Sequence, residues 1–491
     1  GIAATNWITN NVTANSSTTT VNLSLGNVVK FTQSANTTVS FANTGTSNIV
    51  TFIRSKDDTS TERTITWPSG VKWNGGSAPT LNTASTPNDA NVITLLTRDE
   101  GVTWYGWENV SFLGGYQLFA WGSWNTGQLG NSTPTNANYS SPIQISGSTW
   151  RSIARNTYKQ QTGATKTDGT LWMWGKNHYG QLGLNHDDDR SSPVQIPGTT
   201  WTSNFTTNDD RTFAIKTDGT LWGWGRSNLG ALGLNQGSPA GSDAGYSSPV
   251  QVGTDTNWAT SGAHKIFGND TSVTAIKSNG TMYSWGQQGA GQLGLNESSG
   301  ANKSSPTQIG SGTDWDRVAG PRQTTHALKT DGTLWGWGKS NYGALGNNTG
   351  PSGPAWWQGV PEVSSPVQIP GTTWRTISSA YATTVATRTD GTLWIWGANQ
   401  YGELGQNSNI YRSSPTQIPG TNWTDAQGSY WSILASKTDG TLWAWGYQGS
   451  GALAQNNATE YSSPVQIPGT SWSTADGSLG GIYFGHMALK S

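Results

Sequence analysis

The chain has 491 residues, with 64 Gly, 28 Trp, no Cys, only 11% charged residues and a formal net charge of −1. Near-neutrality removes the basic footprint that nucleic acid or an anionic membrane requires, and the lack of Cys removes disulfides and thiolate metal clusters. No apolar run approaches the roughly 20 residues needed to span a bilayer, and the start Gly1-Ile-Ala-Ala-Thr5 does not read as a secretory leader, so no nucleic acid partner and no membrane insertion are expected.

Residues 1–112 alternate apolar and polar side chains in short runs, as in Asn27-Val-Val-Lys-Phe-Thr-Gln33, Thr38-Val-Ser-Phe41 and Asn48-Ile-Val-Thr-Phe-Ile53, separated by Asn, Gly and Ser turns. Alternation of period two predicts strands with one buried face, and the natural fold is a small β-sandwich of jelly-roll type. Its second half reads Thr64-Ile-Thr-Trp-Pro-Ser-Gly-Val-Lys-Trp73, then Asn91-Val-Ile-Thr-Leu-Leu96 and Gly101-Val-Thr-Trp-Tyr-Gly106. This string resembles a module of tail, fibre and other virion proteins of marine bacteriophages, particularly those of cyanobacteria. The resemblance implies an assembly module that contacts other virion proteins. Appendages of that kind are often homo-oligomers, although no heptad pattern in this sequence marks one.

Residues 113–491 repeat one sentence seven times. In the clearest copy it is Lys216-Thr-Asp-Gly-Thr-Leu-Trp-Gly-Trp-Gly225, then Gly230-Ala-Leu-Gly233, then Ser247-Ser-Pro-Val-Gln251, then Trp258. The Trp-Gly step recurs at Trp121, Trp174, Trp224, Trp285, Trp337, Trp396 and Trp445, and a closing tryptophan at Trp150, Trp201, Trp258, Trp315, Trp374, Trp423 and Trp472. Such periods, made of strands and tight turns, predict a propeller with one blade per repeat. Asp-Gly between two alternating runs predicts a hairpin with a primed turn. With strand A after the closing Trp, B before Asp-Gly, C holding Trp-x-Trp-Gly and D holding Ser-Ser-Pro-Val-Gln, each repeat is a four-stranded blade. The first copy begins at strand C (Tyr116-Gln-Leu-Phe-Ala-Trp121) and the last stops after strand B (Gly485-His-Met-Ala-Leu-Lys490), so the two half-repeats are expected to pair and close the ring. The whole chain is therefore expected to be all-β.

Asp-Gly-Thr-Leu-Trp-x-Trp-Gly followed by Gly-x-Leu-Gly resembles the repeat of the regulator of chromosome condensation family, which implies a seven-bladed propeller over about residues 113–491. Ala454 departs from the motif at the last Gly of the seventh copy. That family's founder is a nucleotide exchange factor and chromatin binder. The basic surface such a role needs is absent here, and fold does not carry function across.

Motifs for chemistry are missing. His178, His186, His264, His326 and His486 show no metal-ligand spacing, and His186-Asp-Asp-Asp-Arg190 lacks the alternating spacing of a calcium loop and reads as a solvated acidic loop. Asp168, Asp218, Asp331, Asp390 and Asp439 fall in the repeated hairpins, where a carboxylate sets turn geometry. No metal, cofactor or catalytic residue is expected, and the chain is read as a non-enzyme. The variable segments are the A-to-B turns and the C-to-D connections, which share one end of the strands. Binding usually sits on variable loops held by a rigid scaffold, and Trp356, Trp357, Tyr139, Tyr246, Tyr411 and Tyr461 are the candidate binding residues. The expected protein is a phage virion component at the particle surface whose propeller binds a host surface glycan or protein receptor, as a tail fibre or appendage. A capsid decoration or fibre, a secreted or cell-surface adhesin, and a polysaccharide-degrading enzyme are the alternatives.

Overall fold

The computed structural model describes residues 9–14, 16–25, 28–42, 48–56, 65–68, 71–73, 91–97, 103–109, 115–132, 137–155, 160–208, 210–235, 245–297, 300, 302–349 and 362–491. The chain forms two compact units, Gly1–Gly115 and Tyr116–Ser491. The described residues hold strands and three short 3-10 turns, and no helix long and apolar enough to cross a membrane.

In unit 1 one sheet runs in the order Thr9–Ala14, Val28–Gln33, Asn48–Lys56, Asn91–Thr97, Trp104–Asn109, Val71–Trp73, and a second holds Thr18–Asn22, Thr37–Ala42 and Ile65–Thr66. Phe31, Val50, Leu95 and Trp104 of the first sheet share a buried cluster with Val21 and Val39 of the second, so the unit is a two-layer β structure. Its winding differs from the expected jelly roll, which is antiparallel. Thr9–Ala14 lies parallel to Val28–Gln33, Val28–Gln33 parallel to Asn48–Lys56, and Thr18–Asn22 parallel to Thr37–Ala42. The first strands thus step between the layers, each pairing with the next but one, whereas Asn91–Thr97 pairs antiparallel with both Asn48–Lys56 and Trp104–Asn109. Alternation shows which side chains face inward and is silent on the partner's direction.

Unit 2 is seven antiparallel blades. Blade 2 is Trp201–Asn208, Arg211–Lys216, Leu221–Arg226 and Gly245–Gln251 as strands A to D, and blades 3 to 6 repeat this order. Strand Tyr139–Ile153 is shared, serving as strand D of blade 7 and then as strand A of blade 1. Blade 7 is composite. Its inner strands Leu479–Ile482 and Gly485–Lys490 come from the end of the sequence, and its strand C, Tyr116–Gly122, pairs antiparallel with Gly485–Lys490 from Gln117 opposite Lys490 to Gly122 opposite Gly485. The A strands touch their neighbours around the whole ring, blade 7 against blade 1 included.

Two repeated contacts tie blade to blade. The C-strand tryptophans are fully buried, and Trp121, Trp174, Trp285, Trp337, Trp396 and Trp445 donate their indole N–H to the carbonyl of Ala452, Gln128, Ala231, Gln292, Ala344 and Glu403 in the preceding Gly-x-Leu-Gly. At Trp224 the corresponding carbonyl, of Gln181, accepts the Thr212 hydroxyl instead. Beyond each Gly-x-Leu-Gly, a residue in the left-handed region donates its N–H to the serine of the next blade's strand D: Ser132, Asn185, Asn235, Asn296, Asn348, Asn407 and Asn456 to Ser191, Ser247, Ser304, Ser364, Ser413, Ser462 and Ser140. The last of these links blade 6 to blade 7. Within each blade the basic residue before the hairpin lies over two aromatic rings, as Lys216 does over Trp201 and Trp222 at 4.8 and 3.9 Å.

The hairpins differ in type from the expected primed turn. In Lys166-Thr-Asp-Gly-Thr170 only Gly169 has positive φ (+78°), the Gly169 N–H reaches the Lys166 carbonyl, and the Lys166 N–H reaches the Thr170 carbonyl. This is a type I turn completed by a left-handed glycine. Asp168 accepts from the Thr170 N–H and hydroxyl at 3.0 and 2.6 Å, and the Thr170 hydroxyl accepts from the Trp172 indole. The last Gly of Gly-x-Leu-Gly faces a harder limit: at Gly183 (φ +74°) a Cβ would stand 2.7 Å from Trp224 Nε1. Ala454 holds that place with φ +55°. Ala454→Gly is therefore expected to raise stability by about 1 kcal/mol, since an L-residue held left-handed costs roughly that much; urea melts of the two proteins give the difference directly.

Candidate binding face

In an up-and-down blade the A-to-B and C-to-D connections lie at one end of the strands, and the Asp-Gly hairpins at the other. Among the sequence-predicted residues, Trp356 and Trp357 lie outside the described residues. Tyr139 and Tyr461 open strands D of blades 7 and 6 and Tyr246 is second in strand D of blade 2, each opposite the glycine that follows the C-strand Trp (Gly122, Gly446 and Gly225). They are half-buried and pack against blade cores. Tyr411 of blade 5 meets Tyr342 of blade 4 edge-on at 5.7 Å.

The larger feature of this face is a set of rings that loop length did not single out. Tyr381 of blade 5 stacks on Tyr430 of blade 6 at 4.7 Å and 26°. Trp431 meets Tyr381, Tyr430 and Tyr401. Tyr401 meets Tyr447, Tyr447 meets Phe484 of blade 7, and Phe484 and Tyr483 close back on Tyr430. All seven are half-buried. Tyr342 and Tyr381 line one small pocket with Arg322, so the Tyr342–Tyr411 pair continues the band.

The repeat supplies an internal comparison. In every blade the residue after the C-strand Trp-Gly donates its N–H to the carbonyl of one A-to-B turn residue, namely Gln160, Asp210, Thr271, Gln323, Ala382, Trp431 and Phe484 in blades 1 to 7. The backbone job is the same seven times, and blades 1 to 4 perform it with polar residues. One position earlier, blades 3 and 4 carry Asp270 and Arg322, whereas blades 5, 6 and 7 carry Tyr381, Tyr430 and Tyr483. The fold needs no aromatic there. Arg322 borders the band, donating to Asp270 at 2.9 Å and to the Tyr381 hydroxyl at 2.6 Å. Beneath it Glu403, fully buried, accepts from the Tyr401 N–H at 2.7 Å, and burial pushes its carboxyl up to about 8.

Residues 168–206, 279–326, 331–386 and 390–435 match the regulator of chromosome condensation (RCC1) repeat, and unit 2 superposes on solved RCC1 propellers. Unit 2 belongs to the RCC1 repeat family. Yeast RCC1 (Prp20), solved bound to Kap60, aligns with TM-score 0.64 and 17% identity over 77% of this chain and 90% of its own. Human WBSCR16 aligns with TM-score 0.63 and 18% identity over 77% and 99%. Among curated relatives, the RCC1 domain-containing protein RUG3 of Arabidopsis thaliana is 27% identical over 60% of this chain and 68% of its own length. The Arabidopsis ultraviolet-B receptor UVR8 is 27% identical over 47% and 50%, and human HERC2, an E3 ubiquitin-protein ligase, 25% over 49% and 5%, so the match spans only a small part of HERC2.

The RCC1 propeller concentrates charge elsewhere, on its inner A strands at Arg317 and Asp425 and in the turns beside them at Arg155, His264 and Asp476. Asp476 of blade 7 accepts from Arg155 of blade 1 at 3.1 Å, from Arg317 of blade 4, and pairs with His264 Nε2 of blade 3 at 2.5 Å, while Arg155 also pairs with Asp425 of blade 6. Five blades thus meet across the ring. Burial works to raise the Asp476 carboxyl, but the charges and hydrogen bond around it outweigh this and hold it well below the usual range; burial raises Asp425, and it pushes His264 down to about 4. Of the other histidines, His326 and His486 are core residues bonded to the Leu345 carbonyl and the Ser432 hydroxyl, and burial lowers them to about 4 and about 3. In the acidic loop Asp189 accepts from the Asn177 N–H, and Arg190 contacts His186 at 2.8 Å. Among the described residues no group of three potential ligands is placed to hold a metal ion.

Proposed function

We propose that the chain is a non-catalytic binding protein whose RCC1 propeller is a binding head, displayed at the surface of a phage virion by unit 1 and directed at a host surface receptor. The observation that carries the binding role is the aromatic band of blades 5 to 7, five of whose rings (Tyr381, Tyr430, Trp431, Tyr483 and Phe484) stand at turn positions that blades 1 to 4 fill with polar residues. A contiguous aromatic cluster that reaches the surface marks an interaction site. Relatives on the same fold support a partner-binding use: yeast Prp20 was solved with Kap60 and studied for binding to Gsp1p and histones. The virion placement is supported by the likeness of residues 64–106 to modules of phage tail and virion proteins. A non-catalytic reading is supported by where the carboxylates stand. Asp425 and Asp476 share Arg155, and Asp331, Asp390 and Asp439 are each bonded to the threonine two residues on.

Labelled full-length protein is expected to bind cyanobacterial cells and to release no oligosaccharide from them. Tyr430→Ala/Trp431→Ala should reduce binding at least tenfold at unchanged melting temperature, since central aromatics dominate interface energy. Tyr179→Ala, in blade 1 under Arg226, should leave binding intact. Equal binding by both variants, or no cell binding by the wild type, overturns the proposal.

A further inference from the structure

The aromatic band identifies its ligand class by what it contains. The seven rings Tyr381, Tyr401, Tyr430, Trp431, Tyr447, Tyr483 and Phe484 touch one another in sequence, with centroids 4.4–5.7 Å apart and mostly edge-to-face. Such packing leaves the rings little freedom to lose when a ligand arrives, so the platform is preorganised. Ile410, 56% exposed, stands outside the seven rings beside Tyr411. Protein interfaces mix aromatic anchors with aliphatic and charged groups; here rings form the continuous surface, and Pro321, Arg322, Ala344 and Ala382 line the pocket at its edge while Glu460 acts on Tyr401 from beside it.

Its electrostatics narrow the choice. Arg322, the cation at its border, is committed to Asp270 and to the Tyr381 hydroxyl. Glu403, the carboxyl below Tyr401, is neutral at pH 7 because burial holds its proton. His486, behind blade 7, is likewise neutral. What the band offers is ring faces, whose negative quadrupole attracts the polarised C–H bonds of a pyranose face, together with tyrosine hydroxyls able to exchange hydrogen bonds with sugar hydroxyls directly or through water. It offers them repeatedly, across three blades, as a chain of like units requires.

We infer that the band binds a neutral polysaccharide, each pyranose face laid on a ring; this rests on the proposed function and names its receptor. The test is affinity electrophoresis of the full chain in gels cast with dextran, laminarin, galactomannan, the neutral fraction of cyanobacterial envelope polysaccharide, or alginate as the acidic probe, each at 50 mM and 500 mM salt. Retardation by at least one neutral polysaccharide is expected, unaffected by salt because no ion pair is involved. It should fall at least tenfold in Tyr430→Ala and in Trp431→Ala, survive in Tyr430→Phe, which keeps the ring, and be unchanged in Tyr179→Ala. Retardation by alginate alone, suppressed at high salt, overturns the inference, as does no retardation in any gel. Cell binding separates the two levels of the argument. Binding abolished by periodate but not by protease supports the polysaccharide. Binding abolished by protease but not by periodate overturns the polysaccharide and leaves the receptor-binding role standing, and absence of cell binding overturns both.

Discussion

Denaturant titrations across pH are expected to trace an asymmetric bell for this protein, with stability rising by about 3 kcal/mol from pH 4.5 to 6.5 and falling by only about 0.6 kcal/mol from there to pH 8. The rising limb comes from His264, His326 and His486, which burial lowers to about 4, about 4 and about 3. Below 6.5 the unfolded chain takes up three protons that the folded chain refuses, so the stability these groups contribute is complete above pH 6.5 and lost as pH falls. Over two pH units this amounts to roughly 7 kcal/mol. Two carboxyls act in the opposite sense. Glu403 is raised to about 8 and Asp425 is raised by burial, so folding binds their protons more tightly and stability is lost as pH rises, which takes back more than half of the gain. Above pH 6.5 the proton held by folded Glu403 outweighs the protons the unfolded histidines still release, so stability turns down slightly. The repeat suggests the control, because Gln128, Gln181 and Gln292 occupy the same place in other copies of Gly-x-Leu-Gly. Glu403→Gln should remove the falling limb and add about 3 kcal/mol at pH 7. A flat profile, or an alkaline limb that persists in Glu403→Gln, would contradict this account.

The second large effect is expected at the ring's inner charge cluster. Asp476→Ala should cost about 3 kcal/mol, the lower part of the range for breaking a buried ion pair, because the Asp476 side chain keeps 30% of its surface exposed. Arg317 would retain Asp316 and Arg155 would retain Asp425, while His264 would lose its partner. Adding Arg317→Met to Asp476→Ala should cost less than the two single losses summed, since each single variant already removes the same Arg317–Asp476 pair. Strict additivity in that cycle would show that the cluster is not one coupled network.

Much of unit 2 was readable because its signals are local. Trp-x-Trp-Gly fixes strand C and its facing, Asp-Gly fixes the hairpin, and the split of motifs between residues 116–122 and 485–490 implies the composite blade. The turn type was misread because Asp-Gly marks a left-handed glycine without saying whether the aspartate is left-handed too. Strand direction in unit 1 was illegible for a similar reason, as alternation carries no partner. Loop length does not mark the aromatic band, because the A-to-B turns of blades 5 to 7 are short; aligning the repeats on the turn residue places Tyr381, Tyr430 and Tyr483 in register. No local pattern marks the inner cluster. Arg317 and Asp425 share one repeat position, Arg155, His264 and Asp476 each occupy another, and only ring closure brings them together.

The composite blade also bears on how the protein is made. Strand Tyr116–Gly122 emerges from the ribosome before the blades, and its partner Gly485–Lys490 follows them, on the order of tens of seconds later at ordinary rates of synthesis. For that interval a strand rich in apolar residues waits with one edge unpaired, open to any neighbouring nascent chain. Yield in a heterologous host should then depend on polysome density and on chaperones that shield strand edges more than on the stability of the finished ring.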